Sequence, residues 1–123
     1  MDESALEIAD AFEHGLSLAR GGFYFEAHEA FEIAWRAAAA GERDFFQGLV
    51  HAVVSAYQAG RGRPVGAERQ RQKALRRLAP YAPAHRGLDL ERLLEALRGA
   101  EPDLREHLVE ADAEPPVAVE EEQ

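Results

Sequence analysis

Apolar residues in this chain recur at steps of three and four positions almost from end to end, which is the spacing that places them on one face of an α-helix. The clearest run, in the middle of the chain, consists of Phe45, Phe46, Leu49, Val50, Val53, Val54 and Tyr57. No segment alternates apolar and polar residues with the period of two that marks a half-buried strand. The pattern therefore predicts an all-α protein without a sheet.

Glycine, proline and capping residues divide the pattern into about five to six helices. The predicted helices span about residues 4–20, 23–40, 42–60, 64–79, 89–98 and 103–109. A capping box, Ser4-x-x-Glu7, is expected to open the first helix, and Gly41 is expected to end the second. Pro80 and Pro83 bracket a loop in which His85 is predicted to be a surface residue.

An offset of 40 residues brings small residues of the two halves into register. In this alignment Gly22 falls on Gly62, Ala27 on Ala67 and Ala34 on Ala74. Each half is therefore predicted to be an antiparallel helical hairpin, and together they make a small helical bundle. The arrangement resembles the tetratricopeptide helix-turn-helix unit, although that unit has a period of about 34 residues.

The acids are concentrated at the two ends of the chain. With 123 residues and a net charge of -9, the sequence fits one helical domain over residues 1–109. Residues 110–123 contain 6 acids and no base, and they are predicted to be a disordered acidic tail. The longest nearly uncharged apolar stretch, residues 45–59, is too short to cross a bilayer, and the N-terminus lacks the basic region of a signal peptide. We therefore expect a cytoplasmic protein with no membrane partner.

A basic segment interrupts this acidity, because residues 60–79 contain 7 bases and 1 acid. Clustered arginines can contact phosphate groups, so the segment is either an anion-binding patch or a solvated helix face. The solvated face is favoured, since the acidic remainder repels polyanions and no aromatic residues interleave the arginines. Specific binding of nucleic acid is therefore not expected.

The side chains best suited to form a functional site lie between Gly22 and Trp35. His28 and Glu32 are one helical turn apart, and Glu29 projects about 100° away from His28. Trp35 belongs to the predicted buried stripe of the same helix. His28 and Glu32 are therefore predicted to be neighbours on its edge.

The third helix carries a similar edge, because Gln47 and His51 are also one turn apart. If the two helices fold back about Gly41, Trp35 faces Gln47 and Glu32 faces His51. The absence of cysteine leaves histidine and carboxylates as the available metal ligands. Two imidazoles and a carboxylate can hold a divalent metal, so His28, Glu32 and His51 are the predicted ligands, with Glu29, Trp35 and Gln47 beside them.

Two familiar metal motifs are excluded. The run from His28 to Glu32 lacks the second histidine of the H-E-x-x-H zinc-protease motif. The E-x-x-H element of ferritin-like di-iron sites does not occur anywhere in the chain.

The same run closely resembles a bacterial and archaeal family, domain of unknown function 309 (DUF309). The resemblance covers roughly residues 10 to 80 and rests on three elements, Tyr24-Phe-Glu-Ala-His28-Glu29-x-x-Glu32-x-x-Trp35, Arg43-Asp-Phe-Phe-Gln47-Gly48-Leu49 and Gly66-Ala67. The family hallmark His-x-x-x-Glu-x-x-(Trp/Tyr) is met by His28, Glu32 and Trp35. The resemblance implies a small all-helical domain and suggests metal binding through the motif, without an assigned reaction; His51 lies outside the hallmark.

Two classes of function are compatible with these residues. In the first, the chain is a non-enzymatic helical module that binds a partner protein or a second copy of itself. His28 and Glu32 then form a structural pair, and Trp35 and Gln47 complete a buried network. In the second, the chain is a metal-binding protein or a metal-dependent hydrolase centred on His28, Glu32 and His51. The first is favoured, because no nucleophile has a matched base.

Overall fold

A computed structural model describes residues 2–112 of the chain. Its five α-helices are α1 (Glu3–Arg20), α2 (Tyr24–Ala37), α3 (Ala40–Gly60), α4 (Pro64–Leu78) and α5 (Leu90–Arg98). The predicted all-α bundle is thereby confirmed. The sixth predicted helix is instead a single 3-10 turn, Arg105–His107, and a second such turn, Ala79–Tyr81, follows α4.

A small β-hairpin, with strands of two residues each, corrects the expectation that the fold has no sheet. Strands β1 (Ala84–His85) and β2 (Leu88–Asp89) pair in antiparallel fashion between α4 and α5. The residues after the last 3-10 turn join this hairpin, since Asp89 N donates to the carbonyl of Val109 at 2.9 Å and Ala111 N donates to the carbonyl of Gly87 at 2.8 Å. The domain boundary predicted at 109 falls inside this paired segment. Residues 113–123, most of the predicted tail, lie outside the described residues.

The first four helices form a row in which each helix packs on the next, and α5 packs against α4. From α1 to α4, consecutive helices run antiparallel, because the three connections between them contain only two or three residues each. Their facing stripes bury one continuous core, whose largest members include Phe31, Phe45, Phe46, Leu49 and Leu78. No helix in the described part of the chain combines the length and apolar character needed to cross a membrane.

The predicted 40-residue repeat is confirmed at the two hairpin turns, whose backbone hydrogen bonds match one for one. Phe23 N donates to the carbonyl of Leu18, and Arg63 N donates to the carbonyl of Gln58. Gly22 and Gly62 have φ angles of +85° and +72°, the left-handed conformation that ends a helix in a Schellman motif. The same turn therefore closes the α1–α2 and the α3–α4 hairpins.

Two predicted helix boundaries are wrong. Asp2 rather than Ser4 caps α1, because Asp2 Oδ1 accepts a hydrogen bond from Ala5 N at 2.7 Å. The second helix ends at Ala37, where Ala38 adopts an extended conformation, and Gly41 lies in the first turn of α3. The turn between α2 and α3 is thus earlier than the glycine suggested, which changes the residues that face each other.

Candidate functional site

His28 and Glu32 are neighbours on α2, as their spacing predicted. Nε2 of His28 lies 3.3 Å from Oε2 of Glu32, and Nη2 of Arg36 lies 3.5 Å from the other carboxylate oxygen. Nδ1 of His28 lies 3.3 Å from the carbonyl oxygen of Phe25. Both ring nitrogens therefore face oxygen acceptors: a neutral ring donates to one of them, and a protonated ring donates to both.

The pair is half-exposed, with 23% of the His28 side chain and 28% of the Glu32 side chain accessible to solvent. In the described part of the chain, neither Trp35 nor Gln47 is hydrogen-bonded to it. Trp35 is half-buried against the core, and the guanidinium carbon of Arg43 lies 5.8 Å from its ring centroid. Trp35 was expected to face Gln47, but the earlier turn brings Arg43 over its ring instead.

Gln47 is half-buried on α3 and Glu29 is exposed on α2. Glu29 thus remains outside the pair, as its angular position predicted. Its carboxylate forms no ion pair within the described residues.

His51 does not join His28 and Glu32. Its Nδ1 lies 2.7 Å from Oε1 of Gln70 on α4, so this ring is oriented toward the helix on the other side of α3. Gly48, three residues earlier, lies on the same face, because a Cβ atom there would be 2.6 Å from Cγ of Leu78 in α4. Burial, and to a smaller degree the positive charges of α4, lower the pKa of His51 despite the opposing effect of the Gln70 bond.

The predicted metal ligands are consequently not brought together. Among residues 2–112, no three histidine or carboxylate side chains are grouped closely enough to hold a metal ion. His28 and Glu32 supply two adjacent ligand atoms, and the third predicted ligand, His51, is held by Gln70.

Three rings at one end of the bundle form a surface that we call the aromatic shelf, defined as Phe25, His28 and Tyr57. The Phe25 ring lies 5.4 Å from the ring of His28 and 5.6 Å from that of Tyr57 on α3. Nη1 of Arg61 donates to the Tyr57 hydroxyl at 3.1 Å, and its guanidinium carbon lies 5.5 Å from the ring centroid. The shelf therefore combines apolar ring faces with a cation at its edge.

A groove of about 560 Å³ adjoins the shelf; Tyr57 belongs to both, and Arg61 at the edge of the shelf also lines the groove. It runs between the two repeated turns, with the segment around Pro102 as its far wall. Tyr24 fixes that wall, because its hydroxyl donates to Asp103 and accepts from the backbone N–H of Leu104, both at 2.9 Å. The net effect of its surroundings, in which burial is the largest influence, raises the pKa of Tyr24.

A second polar cluster was missed from the sequence. Glu42 at the start of α3 binds Nε2 of His85 at 2.8 Å and Nε of Arg86 at 2.7 Å. The His85 ring packs against Phe45 and Tyr81 at centroid distances of 4.6 Å and 4.8 Å, so this predicted surface residue is only partly exposed, with 28% of its side chain accessible. These contacts clamp the β-hairpin onto the bundle. Glu42 is 43 positions from His85 and 44 from Arg86, and local spacing carries no signal for such a pairing.

Residues 12–70, from within α1 to within α4, match the sequence model of the family described as domain of unknown function (DUF309). This part of the chain is a DUF309 domain. The DUF309 segment contains the whole aromatic shelf together with Glu32, whereas the β-hairpin and α5 lie beyond it. No curated protein and no solved structure matches the chain. The protein is thus a helical bundle that contains a DUF309 domain over residues 12–70.

Proposed function

We propose that this DUF309 protein is a non-enzymatic interaction module that binds a segment of another protein at the aromatic shelf. The segment places an aliphatic or aromatic side chain against Phe25 and Tyr57 and a carboxylate beside Arg61. The observation that carries the proposal is the 48% exposure of Phe25, whose ring lies 5.6 Å from that of Tyr57.

The exposure of these rings is costly in a monomer. Large exposed apolar side chains in the described residues number five, and two of them, Phe23 and Phe25, lie two residues apart in the chain at the entry to α2. Grouped apolar rings are typical of protein-binding surfaces, where aromatic residues contribute a large share of the binding energy. Covering Phe25 with a partner would remove apolar area from water.

The charge at the edge of the shelf supports a partner segment with an acidic residue. Arg61 has no carboxylate partner among the described residues, because its only side-chain hydrogen bond is to the Tyr57 hydroxyl. A carboxylate can bind a guanidinium in a bidentate manner. The adjoining groove has a volume in the range of about 300–1,000 Å³ that is typical of ligand pockets, so it can accept a side chain next to this contact.

In this proposal His28 and Glu32 are positioning residues. His28 contacts both the ring and the carbonyl oxygen of Phe25, while Glu32 holds the other side of the imidazole. The motif thereby restrains the first turn of α2, on which the shelf depends.

Metal binding is a second candidate, and one observation favours it. In the tautomer whose Nδ1 donates to the carbonyl of Phe25, Nε2 of His28 directs its lone pair toward Glu32, and metal-ligating histidines commonly have this arrangement. The described residues supply only these two ligands, which is fewer than the three protein ligands of typical catalytic zinc sites. The fit is therefore incomplete, and a metal-dependent hydrolase is less well supported than an interaction module.

The proposal is tested by selecting peptides from a random displayed library on the parent protein and measuring their affinity for variants. Phe25→Ser removes the central ring of the shelf, and Ile33→Ser is its matched control, because Ile33 is 45% exposed on the same helix. We expect the selected peptides to combine an apolar residue with an acid and to lose at least about tenfold in affinity on Phe25→Ser alone. Equal effects of both substitutions would contradict the proposal.

A further inference from the structure

The outer helices of the row carry opposite charge on their exposed faces. On α1, acids at steps of four and three residues form what we call the acidic face, defined as Glu3, Glu7 and Asp10, all exposed. On α4, bases with the same steps form the basic face, defined as Arg69, Lys73 and Arg76, also exposed. Residues with this spacing lie on one side of a helix, so each face is a straight stripe of three like charges.

These six side chains have no ion-pair partner among residues 2–112. Other bases of α4 are already engaged: Arg71 binds Glu68 and the carbonyl of Leu97, and Arg77 binds Asp44 at 2.7 Å. The three bases of the basic face therefore differ from Arg71 and Arg77, because they form no ion pair within the described residues and are available to a partner.

The two faces lie at opposite ends of the helix row, because α1 packs on α2 and α4 packs on α3. One copy presents its acids at one edge of the row and its bases at the other. A second copy in the same orientation would bring its acidic face toward the basic face of the first, so that three acids meet three bases.

We infer that copies of this chain associate head to tail through the acidic face of α1 and the basic face of α4. Each face also includes one exposed aliphatic residue, Leu6 at 49% and Val65 at 65%, which adds apolar area to the contact. The interface joins two different surfaces, so it does not have to close into a dimer and can extend into short chains of molecules. Because exposed ion pairs are weak and screened by salt, the association is weak and strongest at low ionic strength.

A second copy fits this surface better than a nucleic acid does. The net charge of -9 opposes both a polyanion and a second copy at long range, but the second copy also offers a stripe of three exposed acids with the same helical spacing as the bases. The basic face also lacks aromatic side chains on which bases could stack.

The test is a charge exchange followed by sedimentation equilibrium of the full chain at low salt. One triple variant reverses the acidic face (Glu3→Lys, Glu7→Lys, Asp10→Lys), and the other reverses the basic face (Arg69→Glu, Lys73→Glu, Arg76→Glu). We expect the parent to associate, each variant alone to weaken that association by about tenfold or more, and an equimolar mixture of the two variants to restore it.

A control variant reverses three exposed acids elsewhere, Glu91, Glu95 and Glu101, to lysine and gives the same net charge as the acidic-face variant. It should associate like the parent, which would show that association depends on the acids of α1 and not on the net charge of the molecule. Phe25→Ser should also leave the association unchanged, so failure here and failure of the proposed function are distinguishable.

A parent that stays monomeric at all concentrations in low salt would overturn the inference, as would a mixture of the two variants that fails to associate. Stoichiometric binding of duplex DNA to the basic face at physiological salt by a monomeric parent would overturn it in favour of a polyanionic partner. Circular dichroism of each triple variant verifies that α1 and α4 remain folded.

Discussion

Nδ1 of His51 lies 2.7 Å from Oε1 of Gln70, and this bond joins α3 to α4. The neutral tautomer with a proton on Nδ1 donates to the amide oxygen, which leaves Nε2 as the titrating atom. Arg77, Lys73 and Arg76 add positive potential around the ring. Burial of the ring and these charges lower the pKa of His51, which favours the neutral form in this helix contact.

The first prediction concerns acid stability. Burial and neighbouring cations lower the pKa of His51 in the folded protein below its ordinary value of 6.5, so the unfolded chain takes up a proton first as the pH falls. The stability linked to His51 is fully present above that value and is lost as the pH falls below it. Urea unfolding across this range should show a loss in the parent that is smaller in His51→Gln.

His14 supplies the control for this measurement, because it is exposed on α1. His14→Gln should leave the pH dependence close to that of the parent. A His51→Gln variant with the same pH dependence as the parent would show that His51 contributes nothing to acid sensitivity.

The failed grouping of His51 with His28 shows which information the sequence lacked. Helical spacing predicted that His28 contacts Glu32, because that pair depends on one helix alone. The position of His51 depends on which side of α3 faces which neighbour. Since α3 packs on both α2 and α4, either face was compatible with the apolar pattern. The turn lies at Ala38, where no glycine marks it, and this changes which residues of α2 and α3 face each other.

The fold itself was more predictable, for a physical reason. Five helices and the 40-residue repeat depend on periodic burial and on left-handed glycines such as Gly22 and Gly62, and both features are local. The β-hairpin was missed because two-residue strands are too short to show a period. Its clamp between Glu42 and His85 is a long-range contact, and the sequence carries no local sign of it.

The second prediction concerns close packing at Gly48. A Cβ atom there would lie 2.6 Å from Cγ of Leu78, which is fully buried and has no space to move away. Gly48→Ala should therefore lower the free energy of unfolding by about 1–3 kcal/mol. Gly41→Ala is the matched control, because nothing lies within 4 Å of its Cβ position. That variant should gain about 0.4–1 kcal/mol in chemical denaturation, and equal destabilisation of both would refute the packing argument.

The third prediction concerns the clamp on the β-hairpin. Burial acts to raise the pKa of Glu42, but the hydrogen bonds from Arg86 and His85 outweigh it and hold that pKa below its ordinary value of 4.5. The stabilising contribution of Glu42 is therefore present above this value and is lost as the pH falls below it. At neutral pH, Glu42→Gln should speed hydrogen exchange at the hairpin amides and leave exchange within α2 unchanged. Unchanged exchange in the hairpin would rule out the clamp.

The fourth prediction separates the structural role of His28 from metal binding. If His28 and Glu32 only position the shelf, His28→Ala should destabilise the fold by about 0.5–1.5 kcal/mol, and Zn²⁺ or Mn²⁺ should leave the melting temperature of the parent unchanged. A metal that raises the melting temperature of the parent and has no effect on His28→Ala would establish ligation instead.

Binding at the aromatic shelf is tested most directly by NMR titration of the ¹⁵N-labelled protein with a peptide selected on the parent. Saturable shifts should map to the first turn of α2 and to the end of α3, including Phe25, Tyr57 and Arg61, and they should disappear in Phe25→Ser but persist in Ile33→Ser. Shifts confined to the β-hairpin or to α5, or shifts that persist in Phe25→Ser, would contradict the shelf as the binding surface.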